Sequence, residues 1–282
     1  MLMMRVITAL VLLAVLAVSI AMGHIAFAAV MAIAFGACLF EWLRIGGLGG
    51  RPALLLAVVE MVSQFSLYWA GGVDRIHWFI FVLSALVTLA WVVIFFVELF
   101  HRHTGFNVRP AVCLWSAVTF VPAAYLSLLY LLHEGGWVLV LSVLLIVWGA
   151  DISAYFCGRA WGKHAMAPAM SPKKTIEGAV GAYVLVIVFF VLTYVFCTQK
   201  EVFTTMMFDH FGFLLGVVIL AGLVALSISG DLWESMLKRL VGIKDSSKLL
   251  PGHGGFFDRL DASLPVIPAC AFLVLCVQMM HH

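Results

Sequence analysis

Residues 137–157 read WVLVLSVLLIVWGADISAYFC, a run in which Asp151 is the only residue that carries charge. At 1.5 Å per residue a helix over this run reaches across a hydrocarbon core of about 30 Å. Runs of the same kind recur near 5–22, 25–43, 53–70, 77–98, 111–132, 179–197, 212–229 and 264–280. The chain of 282 residues is 65% hydrophobic and 11% charged, whereas about a quarter of a soluble domain is charged. A soluble globular protein is excluded. The pattern predicts an all-α polytopic membrane helical bundle with about nine transmembrane helices. It forms a single integral membrane domain over 1–282, with 1–136 as supporting helices and 137–282 as the catalytic part. Only Gly23 and His24 separate the first two runs, which requires a tight hairpin or one unusually long element.

The net charge of +2 says little, but its placement says much. The N-terminus and the even-numbered loops hold fourteen Lys and Arg residues, and the odd-numbered loops hold only Arg75 and Lys200. This asymmetry predicts a cytoplasmic N-terminus and cytoplasmic even loops. A cleaved leader over the first run is disfavoured, because a second apolar run follows at once. Cys38, Cys113, Cys157, Cys197, Cys270 and Cys276 lie in or beside apolar runs with no CxxC spacing. They read as small packing residues rather than disulfides or metal ligands.

The two long polar segments, 158–178 and 230–262, are both even loops, so chemistry is expected at one end of the bundle. Asp151 and Tyr155 are four residues apart and share a helical face. A carboxylate within a span costs about 2.5 to 3.5 kcal/mol and tends to face a polar cavity; the bland alternative is interfacial water. Gly162-Lys163 is not a P-loop, since His164 stands where a Mg²⁺-binding hydroxyl is needed. Ser171-Pro172 predicts a helix start, with Lys173 and Lys174 in the first turn. Cations there oppose the helix dipole unless an anion docks; otherwise they serve as topology signals or contacts to anionic lipid.

A helix over 231–240 would align Asp231, Ser235 and Lys238 in one stripe. Pro251-Gly252-His253-Gly254-Gly255 supplies a turn with exposed N–H groups. His253 is either an acid–base group or a turn hydrogen-bonder. Asp258 and Asp261, three apart, offer hard oxygen ligands that suit Mg²⁺; the structural alternative pairs them with Arg259.

Over 235–261 the positions Ser235, Lys238-Arg239, Lys244-Asp245, His253-Gly254-Gly255 and Asp258-Arg259-x-Asp261 resemble the motif of phosphatidate cytidylyltransferases. Upstream, Asp151, Tyr155, Gly158, Gly162-Lys163, Ser171-Pro172, Lys174-Thr175 and Gly178 look like that family's other polar segment. The resemblance implies condensation of CTP with phosphatidic acid to CDP-diacylglycerol and pyrophosphate, at the inner membrane of a bacterium. It also implies a homodimer, a Mg²⁺ site and K⁺ as a companion metal, with no nucleic-acid partner. On that basis Asp231, Asp258 and Asp261 are expected to hold metal, with Asp231, Lys238, Asp258 and Asp261 as the catalytic set. Lys163, Lys173, Lys174, Lys238 and Arg239 are expected to neutralise phosphate. Asp151, Tyr155, Ser171, Thr175, Ser235, Lys244, His253, Gly254, Gly255 and Arg259 complete the substrate contacts.

Rival readings remain. A CTP-dependent lipid or polyprenol kinase would transfer the γ-phosphoryl instead and yield CDP. A secondary transporter would show broken helices in paired inverted repeats, which the sequence lacks. A non-catalytic scaffold has no need of three aspartates among so many cations.

Overall fold

The computed structural model describes residues 2–196 and 201–281; Cys197, Lys200 and His282 lie outside the described residues. The helices run α1 (Leu2–Ala21), α2 (His24–Ile45), α3 (Gly50–Trp69), α4 (His77–His101) and α5 (Pro110–Trp161). A hairpin of β1 (Ala165–Ala167) and β2 (Ser171–Thr175) follows. Then come α6 (Ile176–Phe196), α7 (Phe203–Phe211), α8 (Phe213–Leu240), the single turn α9 (Phe257–Leu260) and α10 (Ser263–His281). Among the described residues seven helices are long and apolar enough to cross a membrane. One of them, α5, is broken into two arms at Gly136, and α1 adds a shorter apolar stretch, Val6–Ala21, so the described residues hold nine apolar helical segments.

The break in α5 falls at Gly136, whose φ of 56° and ψ of −146° lie in a region closed to residues with a Cβ. Before it, Leu114 packs beside Gly46 at the end of α2, and the Tyr125 hydroxyl donates to the Ala28 carbonyl near its start. After it, Trp137 packs edge-on against His24 and Phe27, and the chain returns toward Asp151. The two arms are therefore antiparallel. Gly23, at φ 102°, turns α1 back along α2, which selects the tight hairpin over one long element.

The even loops meet at one end of the bundle. Thr8 on α1 donates to the Pro251 carbonyl, the N–H of Ala169 to the carbonyl of Arg102, and Glu41 on α2 receives donors from 246–257. At the other end, the Tyr130 hydroxyl donates to Gln278 at 2.5 Å and Gln278 donates to Glu134. Small residues bring α5 and α6 close: Gly178 faces the Ala154 carbonyl and Gly158, and Gly181 faces Cys157. The cysteines among the described residues are all free.

The segment 171–175 differs from expectation. Ser171 and Pro172 do not start a helix; they lie on β2, paired antiparallel with β1 through Ala167↔Ser171 and Ala165↔Thr175. In a two-stranded hairpin every strand is an edge, the place in a sheet where a proline such as Pro172 is tolerated. The cap of α6 is Thr175, whose Oγ1 accepts from the Gly178 N–H at 3.1 Å. Lys173 and Lys174 therefore project from a strand, and no dipole argument applies to them.

Candidate active site

Two cavities open at the even-loop end, and Asp231 lines both. The first, about 450 Å³, lies between α5, α6, β2 and α8. Its walls include Ala150, Ala154, Ala179 and Ile228, with Asp151, Tyr155, Arg159, Lys173, Lys174 and Thr175 as its polar groups. The second, about 880 Å³, is polar. It is walled by Glu234, Ser235, Lys238, Arg239, Lys244, Lys248, His253, Gly254, Asp258, Arg259 and Asp261.

The wall between them is the cytoplasm-directed end of α8 in the sequence-based topology. Because α8 continues to Leu240, Asp231, Glu234, Ser235 and Lys238 fall on adjacent turns of one side. Asp261, at the start of α10, meets them from across the site. Asp231, Glu234 and Asp261 each present a carboxylate oxygen within 4.8 Å of the others. Glu234 is 1% and Asp261 8% exposed. Burial pushes the Asp261 carboxyl well above the usual carboxylate range, and the charges of Asp231 and Asp151 push the same way. Buried charge of one sign without sufficient counter-charge is unfavourable in isolation; a donor set made only of hard oxygens suits a divalent cation such as Mg²⁺.

Two lysines are fixed inside this acidic frame. Lys174 pairs with Asp231. Lys238 stands 2.6 Å from both Glu234 and Asp258. Asp258 lies outside the cluster formed by Asp231, Glu234 and Asp261. Its Oδ1 accepts from Lys238, and its Oδ2 accepts from the Ser246 N–H and hydroxyl and from the Gly255 N–H at 2.7 to 2.9 Å. Burial opposes charge on Asp258, but the hydrogen bonds it accepts from Lys238, Gly255 and Ser246 prevail and hold its pKa below the usual carboxylate range. Both oxygens of Asp258 are thus occupied by Lys238 and the loop, and Glu234 is the carboxylate that lies beside Asp231 and Asp261. Although Asp258 and Asp261 are three apart, α9 ends at Leu260, and among the described residues only Asp261 joins the cluster with Asp231 and Glu234.

The other expected residues divide cleanly. Asp151, Tyr155, Lys173, Lys174 and Thr175 line the first cavity. Ser235, Arg239, Lys244, His253, Gly254 and Arg259 line the second. Lys163, Ser171 and Gly255 line neither: Lys163 gives its N–H to Glu177, Ser171 sits in the hairpin, and Gly255 gives its N–H to Asp258. Among the described residues Arg259 makes no ion pair with the aspartates; its guanidinium donates to the His253 carbonyl and braces the turn. Arg159, absent from the expected set, lines the first cavity and donates to the Tyr155 hydroxyl at 3.2 Å.

A profile of the cytidylyltransferase family matches residues 3–277. The chain is 41% identical over 143 residues to the phosphatidate cytidylyltransferase of Haemophilus influenzae, covering 50% of this chain and 47% of that protein. It is 43% identical over 136 residues to the one of Pseudomonas aeruginosa, covering 48% and 47%. A longer match, 30% identical over 229 residues, joins it to the phosphatidate cytidylyltransferase of Staphylococcus haemolyticus and covers 80% of this chain and 79% of that one. The first two matches therefore span about half the length of those relatives.

Proposed function

Because the chain belongs to the cytidylyltransferase family, we propose that it transfers the cytidylyl group of CTP to phosphatidic acid, releasing CDP-diacylglycerol and pyrophosphate for phospholipid synthesis. The observation that carries this reading is the pair of cavities sharing Asp231: one is largely apolar and lies among membrane helices, the other is polar and rich in cations. A lipid phosphate and a nucleotide triphosphate have complementary needs of this kind.

The reaction joins a phosphatidate oxygen to the α-phosphorus of CTP and breaks the bond to the β-phosphate. A phosphate monoester has its second pKa near about 6, so the nucleophile is already anionic at neutral pH and needs no dedicated base. What remains is to hold two anions in line and neutralise them. Lys173, Lys174 and Arg159 reach the lipid phosphate in the first cavity. Lys238, Arg239, Lys244 and Lys248 face the triphosphate in the second. Glu234 and Asp258 keep the Lys238 ammonium fixed between them, so its charge is already in place when the phosphates arrive. Asp231, Glu234 and Asp261 would hold Mg²⁺, which when bound neutralises phosphate oxygens and the charge that develops on the leaving pyrophosphate. K⁺ as a companion metal, a homodimeric assembly and the absence of a nucleic-acid partner belong to the same proposal.

The test is to incubate purified protein with labelled CTP, phosphatidate and Mg²⁺ and then extract the lipid. CDP-lipid with pyrophosphate is expected; phospholipid with CDP would instead establish a kinase.

The proposed setting is the inner membrane of a bacterium, with the even loops in the cytoplasm, supported by the fourteen-to-two placement of cations. Cysteines placed at Ser171 and Ser247 should escape an impermeant thiol reagent added outside intact cells and react once the membrane is opened. Ready labelling from outside at either position would reverse the orientation and cut the site off from cytoplasmic CTP.

A further inference from the structure

One buried carboxylate lies outside both cavities yet is bound to the loop that walls the larger of them. Glu41, near the end of α2, is 1% exposed. Its Oε1 accepts from the Ser247 hydroxyl at 2.6 Å and the Phe256 N–H at 3.2 Å, and its Oε2 accepts from the Ser246 hydroxyl and the Phe257 N–H, both at 2.8 Å. Among the described residues no cation pairs with it; four neutral donors surround its two oxygens. Two of those donors come from the start of the segment 246–257 and two from its end. Between them lie Lys248, His253 and Gly254 on the wall of the polar cavity. The adjacent Trp42 stacks on Phe257, with ring centroids 4.5 Å apart and planes 15° from parallel, which presses the same loop end onto α2.

Ser246 carries the connection onward. Its hydroxyl lies 2.8 Å from both Glu41 Oε2 and Asp258 Oδ2 and shares its single proton between them, and the other oxygen of Asp258 holds Lys238. A line of hydrogen bonds thus joins the N-terminal half of the chain to an ammonium in the candidate active site. We propose that Glu41 is a positioning residue, which clips the loop 246–256 shut and acts through Ser246 and Asp258 to set the affinity for the nucleotide's phosphates. The inference rests on the reading of the polar cavity as the CTP site.

Glu41→Gln tests it well, because an amide of the same shape must turn its NH₂ toward the Phe256 or the Phe257 N–H, which only donates. Buried donors left without an acceptor weaken the loop's closure by about tenfold. In full-length protein in lipid nanodiscs, amide exchange across 246–260 should accelerate by about that factor while peptides from α5 and α10 stay unchanged. The KM for CTP should rise about tenfold and the KM for phosphatidate should hold. Ser246→Ala should give the same split, and the double variant should be no worse than the stronger single one, as for residues on one path.

Multiplying effects in the double variant, an equal rise in both KM values, or unchanged exchange across 246–260 would each overturn the proposal. If Glu41→Gln does not accumulate in the membrane, Ser246→Ala decides alone: unchanged exchange or an unchanged KM for CTP refutes the connection. The exchange measurement needs no substrate. A wild-type protein that makes no CDP-lipid would sink the proposed reaction, and exchange across 246–260 in the variants would still decide whether Glu41 holds the loop.

Discussion

Asp261→Asn lowers the rate of CDP-lipid formation by about 10² to 10³-fold, the scale seen when a group that stabilises transition-state charge is lost. The same variant, purified in chelator, melts higher than the wild type. Both outcomes follow from one arrangement: Asp231, Glu234 and Asp261 converge within 4.8 Å, and Asp261 is held by burial and by its acidic neighbours above the usual carboxylate range. The amide keeps the shape and cannot ionise, which removes the cost of holding a carboxyl where burial and acidic neighbours disfavour its charged form. Added Mg²⁺ should raise the wild-type melting temperature and leave the variant's almost unmoved, since a ligand stabilises only the protein that binds it. A variant that gains as much from Mg²⁺ as the wild type would remove Asp261 from the metal-holding set.

Gly230→Ala inactivates the protein without touching a charged residue. A Cβ at Gly230 would meet the carbonyl of Asp261 and the ring of Pro265, so α8 and the start of α10 have no space for it. One of the obstacles is backbone, which has no rotamer to swing aside, and the helices must separate. Overpacking of this kind costs about 1 to 3 kcal/mol. Its larger effect is on the distance between Asp231 and Glu234 on one helix and Asp261 on the other. A displacement of about 1 Å in such a constellation costs about 10²-fold in rate. Thermal unfolding and product formation on the same preparation separate the two effects. A Gly230→Ala protein of normal activity would show that the close contact of α8 with the α10 start is dispensable.

The spans were legible because about 20 apolar residues in a row leave few alternatives, and even the hairpin at Gly23 was foreseen as one of two choices. The fault at 171–175 has a local cause. Ser-Pro is a valid helix start, and nothing within a few residues reveals that Ala165–Ala167 will pair back across it. Glu234 could have been found: it sits three residues after Asp231 and four before Lys238, on the helical face already identified. Glu41 and Glu98 raise the same question as Asp151, a carboxylate at the edge of an apolar run, but their partners are remote. Glu98 accepts from Ser229 at a separation of 131 residues, and Glu41 from Ser246 at 205. No periodicity reports a contact of that range. Asp258 was found as a site residue by its spacing; only the side-chain geometry shows it turned to Lys238 and the loop.

Asp231 on the wall common to both cavities gives the proposed reaction an unusual rate law. One reactant is counted as a mole fraction of the bilayer and the other as a molarity in water, because each approaches that wall from its own phase. Diluting phosphatidate with inert lipid should slow turnover at constant bulk amount, and no quantity of CTP should compensate. The traffic outward divides too: pyrophosphate departs into water, while the enlarged headgroup stays tethered to its acyl chains and has to slip sideways among the helices.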